Sequence, residues 1–477
     1  MARRLASFTL FCLLLAPALA VARQKSTAPP PPATGATQSQ EEFLKAADQV
    51  LAQMSRLIDL PILHPLKKTL RTKAQIRAYL IEEDKEDKHP AKRYADKKAL
   101  EAFGLIPQGF DLDGFMLNLL TEQIAGYYDP KAREFYIADW IPLSDQRMVM
   151  AHELTHALQD QHFQIDPWIQ AAKPNDDGQA ARQAVLEGSA VVAMLDYEMR
   201  GLGSSIRDMP DIGPLTQAMI GDASSSPDFA KAPPYIRDSL LFPYLNGAVF
   251  TQRLLKAGDG WPDFYKVFSR PPVSTQQVMH PSLYLTEKVP PPVTFPKLGH
   301  VLGKHWNLLD ENVAGEFGLQ EILKQYLDAA QAKEFAPDWW GDRYAILENK
   351  TSKSSLLVFR LRLDSAAHAA QFFTTYTKLL RKKHADASQV FTALEFLQFN
   401  TGSEGGVFFE CHAAECLSME GADRQDFDNV TKAMHWPKAP QAKFAAQGRA
   451  GIPARAPVVP VRLSTPQSAQ PDSTSRF

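Results

Sequence analysis

Two histidines and a glutamate stand in the run Ala151-His152-Glu153-Leu154-Thr155-His156. On a helix, residues i and i+4 share one face about one turn apart, so both imidazoles can bind a single zinc ion from the same side. Glu153 lies at the edge of that face and can reach a zinc-bound water. Zinc lowers the pKa of such a water toward about 7 and polarises a carbonyl oxygen. Glu153 then takes the water's proton and passes it to a leaving amine. The chemistry implied is amide hydrolysis. The pattern also arises by chance in long chains. Its place in an amphipathic helix, after a strand and in an exported chain, makes it more specific here.

A catalytic zinc takes a third protein ligand and keeps a fourth position open. His162 stands ten residues after His152, as in the metzincin pattern HExxHxxGxxH, but the glycine position holds Gln159, a good helix former. On an unbroken helix ten residues turn His162 about 80° away from His152, so it reads as a helix-end residue. The better third ligand is Glu187, in Ala184-Val-Leu-Glu-Gly-Ser-Ala190. The small residues Gly188, Ser189 and Ala190 would let its helix approach the motif helix closely. Asp176 and Asp177 precede that helix, and an N-cap role explains one of them. Asp196 is a candidate supporting carboxylate.

These residues carry a resemblance. The chain resembles zincins of the gluzincin clan, and is similar to a group of uncharacterised secreted bacterial metallopeptidases. The resemblance spans roughly residues 100 to 285, through Glu122-Gln-Ile-Ala-Gly-Tyr-Tyr-Asp-Pro130, His152 to Phe163, Ala184 to Ala190, Pro243-Tyr-Leu-Asn-Gly-Ala-Val-Phe250 and Pro271 to Pro281. It implies one catalytic zinc ion held by His152, His156 and Glu187, with Glu153 as general base. Thermolysin-like enzymes place a supporting Asp where this chain has Val191, so His152 lacks that carboxylate neighbour here. Gluzincins also supply a downstream Tyr or His to the oxyanion, and Tyr244 and His280 are the two candidates. The strand Glu134 to Ala138 stands where zincins pair an extended peptide by strand addition.

The elements that must position these groups follow from pattern. Apolar Met148, Val149, Leu154, Ala157 and Leu158 share a helix face, with Ser144 as N-cap and Asp145 in the first turn. Gly126 to Pro130 reads as a turn and Glu134 to Ala138 as a strand. A second helix runs from about 179 to 200, and others cover 238–257, 261–269 and 316–327. From Trp339 apolar and polar residues alternate over 343–348 and 355–363, as in half-buried strands. The expected fold is α+β: a mainly helical zincin-like metallopeptidase domain with a small sheet over 41–335, then a small α+β domain over 336–436.

The flanks differ in kind. Arg3 and Arg4, the apolar run Phe8 to Leu15, and Pro17-Ala-Leu-Ala20 form a signal peptide over 1–20, too short to span a bilayer. Residues 21–40 read as a Pro-rich disordered linker and 437–477 as a disordered tail. With 52 Lys plus Arg against 54 Asp plus Glu, a net charge of −2 excludes a dominantly electrostatic nucleic-acid binder. No later stretch is apolar enough to cross a membrane. Cys411 and Cys416 remain after export, and an oxidising compartment favours a disulfide over a metal site with His412. The reading is therefore an exported, periplasmic or extracellular zinc peptidase acting on peptides or proteins. The alternatives are a zinc amidase or cell-wall peptidase, and a non-catalytic zinc-stabilised binding protein.

Overall fold

Long helices and one small sheet fill the chain from residue 40 to about 300, and a large sheet follows. The computed structural model describes residues 40–86, 89–201, 203–223, 227–402 and 404–437. The leader, nearly all of the Pro-rich linker and the tail lie outside the described residues. The first region holds α1 (Gln40–Leu57), β1 (Lys67–Arg71), α2 (Lys73–Glu86), α3 (Pro90–Phe103), α4 (Leu112–Gln123), β2 (Gly126–Asp129) and β3 (Glu134–Ala138). The motif helix α5 (Leu143–Phe163), α6 (Asp176–Arg200), α7 (Pro234–Ala257) and the short α8 (Thr275–Met279) follow, joined by an 11-residue helix over Gly213–Ala223 and further short helices.

The small sheet has the order β1-β3-β2, with β1 parallel and β2 antiparallel to β3. Two expectations change here. Residues 126–129 form a strand, and the turn comes later because Asp129 Oδ1 accepts from the Lys131 and Ala132 N–H groups. And β3 is the central strand, paired on both edges, so it offers no free edge for strand addition.

The large sheet runs β4 (Trp306–Asn312), β5 (Trp339–Asn349), β6 (Ser355–Leu363), β10 (Glu415–Ala422), β9 (Gly406–His412), β8 (Phe396–Asn400), β7 (Ser388–Ala393), antiparallel throughout. It therefore begins before position 335 and takes β4 from the N-terminal side of that boundary. A register shift between Leu308 and Asp310 breaks the alternation that would have marked β4 as a strand. Helices α9 (Gly315–Tyr326), α10 (Ala366–Lys383) and α11 (Arg424–Ala433) complete the region.

The central strands are buried on both faces rather than one. Along β5, Tyr344 and Ile346 join the main core, while Ala345 and Leu347 face a second core that includes Val358, Leu417 and Phe427. This is the two-residue period of a strand read out as two cores. Cys411 and Cys416 lie opposite each other across β9 and β10, Cα atoms 4.0 Å apart, joined as a disulfide. Among the described residues no helix is long and apolar enough to cross a membrane.

Candidate metal centre

Helix α5 is buried on all sides. Every residue from Met148 to Gln159 is shielded from solvent, so the expected amphipathic helix is a central one. It starts at Pro142 without a side-chain cap, and Ser144 Oγ turns to Asp145 instead of capping. Gln146 Nε2 donates to the carbonyls of Ala125 and Ala138, locking α5 to β2 and β3. Tyr128 fastens the helix again. Its backbone N–H donates to Glu153 Oε2 at 2.8 Å, and its hydroxyl donates to Asp160 at 2.8 Å.

Helix α6 is capped by Asn175, whose Oδ1 accepts from Gly178 N, rather than by Asp176 or Asp177. Asp176 faces Lys92, and Asp177 accepts from the backbone and hydroxyl of Thr275. Gly188 does not serve the approach to α5. A Cβ there would lie 1.9 Å from the Gly247 carbonyl carbon, so Gly188 and Gly247 let α6 and α7 touch backbone to backbone. Ser189 is the small residue that meets α5, through Gln159.

These contacts bring three donor atoms together. His152 Nε2 and His156 Nε2 are 3.1 Å apart, and Glu187 Oε2 lies 3.1 Å from the first and 3.4 Å from the second. A tetrahedral zinc with bonds of about 2.0–2.1 Å holds its ligand atoms about 3.3 Å apart, so the triangle fits that ion. His152, Glu153 and His156 are 0 % exposed and Glu187 1 %.

Buried hydrogen bonds orient the members of the triangle. Ser189 Oγ donates to the Leu186 carbonyl at 2.9 Å and accepts from Gln159 Nε2 at 2.7 Å. That turns Gln159 Oε1 toward His156 Nδ1, 3.2 Å away, so Nδ1 carries the proton and Nε2 presents its lone pair to the triangle. Gln183 Nε2 donates to Glu187 Oε1 at 2.7 Å and leaves Oε2 for the histidines. Burial lowers the His152 pKa and favours the neutral ring. Burial would raise the Glu187 carboxyl, but the adjacent His152 and His156 imidazoles outweigh it and hold the group at about 2. Two neutral imidazoles and a carboxylate are the ligand forms of these side chains. His152 Nδ1 has no hydrogen-bond partner among the described residues.

The remaining candidates separate. The Tyr244 ring stacks on His152, centroids 6.1 Å apart, and is buried. His280 Nε2 sits 2.7 Å from Glu316 Oε1, and that carboxylate raises its pKa. His162 Nε2 donates to the Pro61 carbonyl at the end of α5. Asp196 accepts from Ser205 and Ile206 N–H and anchors that loop, not the histidines. Gln159, Gln183, Ser189 and Tyr128 were not singled out from sequence as site residues. Gln159 is three residues from His156 and Gln183 four from Glu187, so helical spacing alone could have found those two.

Two other clusters have ligand-type side chains. Asp96, Asp176 and Asp310 converge, but the Lys92 ammonium already sits among them at 2.6, 3.2 and 2.8 Å. Asp338, Asp364 and His368 form a more exposed group. Residues 306–431 match a family described as a domain of unknown function, DUF8575. That match covers the large sheet and leaves His152, His156 and Glu187 outside it. No curated protein and no solved structure matches the chain significantly.

Proposed function

We propose that this chain is an exported zinc metallopeptidase of the gluzincin type that hydrolyses peptide bonds. The observation that carries the reading is the buried triangle of His152 Nε2, His156 Nε2 and Glu187 Oε2, with Glu153 next to His152 on the same helix. Zinc bound there would supply Lewis acidity and activate a water as nucleophile. His152, His156 and Glu187 would hold the ion. Glu153, oriented by the Tyr128 N–H, takes the proton of the attacking water and returns it to the leaving amine. Tyr244, stacked on His152, is the better placed of the two candidate oxyanion donors, since His280 is paired with Glu316. The disulfide supports export, because such bonds persist in oxidising compartments.

Complete burial of the four side chains favours a second reading, a zinc-stabilised protein without catalysis, because closed sites are the structural kind. Against it, structural zinc takes four protein ligands and the triangle has three, with an acid placed beside them. One experiment separates the two. Mature protein loaded with zinc, wild type beside Glu153→Gln, is incubated with a mixed peptide library and products are read by mass spectrometry. Cleavage by wild type, reduced by about 10²–10⁴ in the variant, is expected. Zinc-loaded wild type that cleaves nothing would sink the peptidase reading.

A further inference from the structure

We infer that Gln159 is a positioning residue for the metal centre, acting through a buried relay that runs from His156 to the backbone beside Glu187. The inference rests on the zinc reading above and adds a residue from outside the ligand set. The relay has four members: His156 Nδ1, the Gln159 amide, the Ser189 hydroxyl and the Leu186 carbonyl, at 3.2, 2.7 and 2.9 Å. His156, Gln159 and Ser189 are fully buried, so bulk water does not compete for any link.

Each link sets the next. The Ser189 hydrogen goes to Leu186, its oxygen takes the Gln159 N–H, and the Gln159 oxygen takes the His156 Nδ1 proton. The outcome is a single imidazole tautomer with its lone pair aimed at the triangle. The relay also spans the two helices that supply ligands, because Leu186 immediately precedes Glu187 on α6. It thus fixes the tautomer of one ligand and the separation of two. His152 offers the internal contrast. Among the described residues its Nδ1 has no such partner, so the relay pre-sets His156 and not His152. Partners of this kind typically change metal affinity by about 10–100-fold when removed.

The test is zinc affinity of the full mature chain, by competition with a chromophoric chelator at fixed pH. Gln159→Met keeps the volume and removes the acceptor. Gln159→Glu keeps an acceptor oxygen, and Ser189 can then donate to it. Gln159→Met is expected to bind zinc about 10–100-fold more weakly, and Gln159→Glu to stay within about threefold of wild type. Cobalt in place of zinc should show an altered visible spectrum in Gln159→Met and a near-native one in Gln159→Glu. A merely structural Gln159 would lower the melting temperature of the metal-free protein in both variants without this split. Equal affinities for Gln159→Met and wild type overturn the inference, as does equal weakening of both variants. Should Gln159→Met not fold, Ser189→Ala reads the same relay, and an unchanged affinity there overturns it too. A wild type that takes up no zinc at all overturns the metallopeptidase reading instead, and this inference with it.

Discussion

Buried charges find protein partners in both the helical and the sheet region, and the two differ at one cluster. In the sheet region most charges meet a protein partner. Glu420 takes Lys383 and His384, Glu415 takes Arg360 and Arg362, and Asp426 accepts from the Trp306 indole. Glu410 makes no hydrogen bond among the described residues, with His412 Nε2 3.4 Å away, and burial pushes its carboxyl up to about 8. In the helical region His152, His156 and Glu187 turn three donor-type atoms toward one point, an arrangement that could hold a metal ion. Buried acceptors facing one another are costly unless a cation lies between them. The proposed metal chemistry therefore rests on the first region, and the second offers the comparison for testing it.

Metal removal breaks the comparison most directly. Zinc at about a thousandfold its Kd should stabilise the protein by about 4 kcal/mol, read as a rise in melting temperature that a chelator reverses. Amide hydrogen exchange should locate the gain in α5 and α6 and find little in β5, β6 and β9. Protection gained equally in both regions would end the claim that the regions differ. Next in size is Gly188→Ala. Its methyl would overlap the Gly247 backbone, and cores tolerate such crowding only at about 3 kcal/mol. Because the crossing sits beside Glu187, the same substitution should weaken zinc binding. Unchanged stability would mean that α6 and α7 are not in backbone contact.

The parts legible in sequence were those set by local spacing. The pair His152 and His156, Glu153 between them and Glu187 on a following helix all depend on helical periodicity and side-chain type. What stayed hidden depends on partners remote along the chain. Lys92 is matched to Asp310, Asp177 to Thr275, and β6 to β10, and none of these pairings leaves a local mark. β4 was missed because its polar residues and register shift hide its alternation. The caps failed for a smaller reason: Asn175, Asp176 and Asp177 are chemically interchangeable as caps, and tertiary contacts chose among them. Gly188 shows the same limit. Its smallness was legible, but the helix it faces was not.

The disulfide is the matching test on the sheet side. Cys411 and Cys416 are five apart in sequence, and closing so short a loop is worth about 2 kcal/mol in the chain-entropy account. The double variant to serine should lower the melting temperature of the protein yet leave zinc affinity as it was. A loss of zinc affinity in that variant would show that the two regions are coupled more tightly than their separate use of polar groups implies.

The smallest effect per step lies where the regions meet. Asp177 on α6 accepts from Thr275 on α8, and a Cβ on Gly315, at the start of α9, would lie against its carboxylate. Burial pushes its carboxyl up to about 8, and Asp342 on β5 and Glu316 on α9 add to the rise against the Thr275 hydrogen bonds. An unfolded aspartate loses its proton near pH 3.9, whereas the folded one keeps it to about 8, so the native state binds the extra proton between those values. Stability must then fall as pH rises through that window, by at most about 1.4 kcal/mol per pH unit, and level off above it. Asp342, pushed up to about 6 by burial, adds its own slope only in the lower part of the window. Asp177→Asn removes the titration while keeping an oxygen for the Thr275 N–H. Its melting temperature should therefore fall less than that of wild type between pH 6 and pH 8. Parallel pH profiles for the two proteins would show that Asp177 is already ionised in the folded state, with the seam between helices and sheet holding a charge rather than a neutral acid.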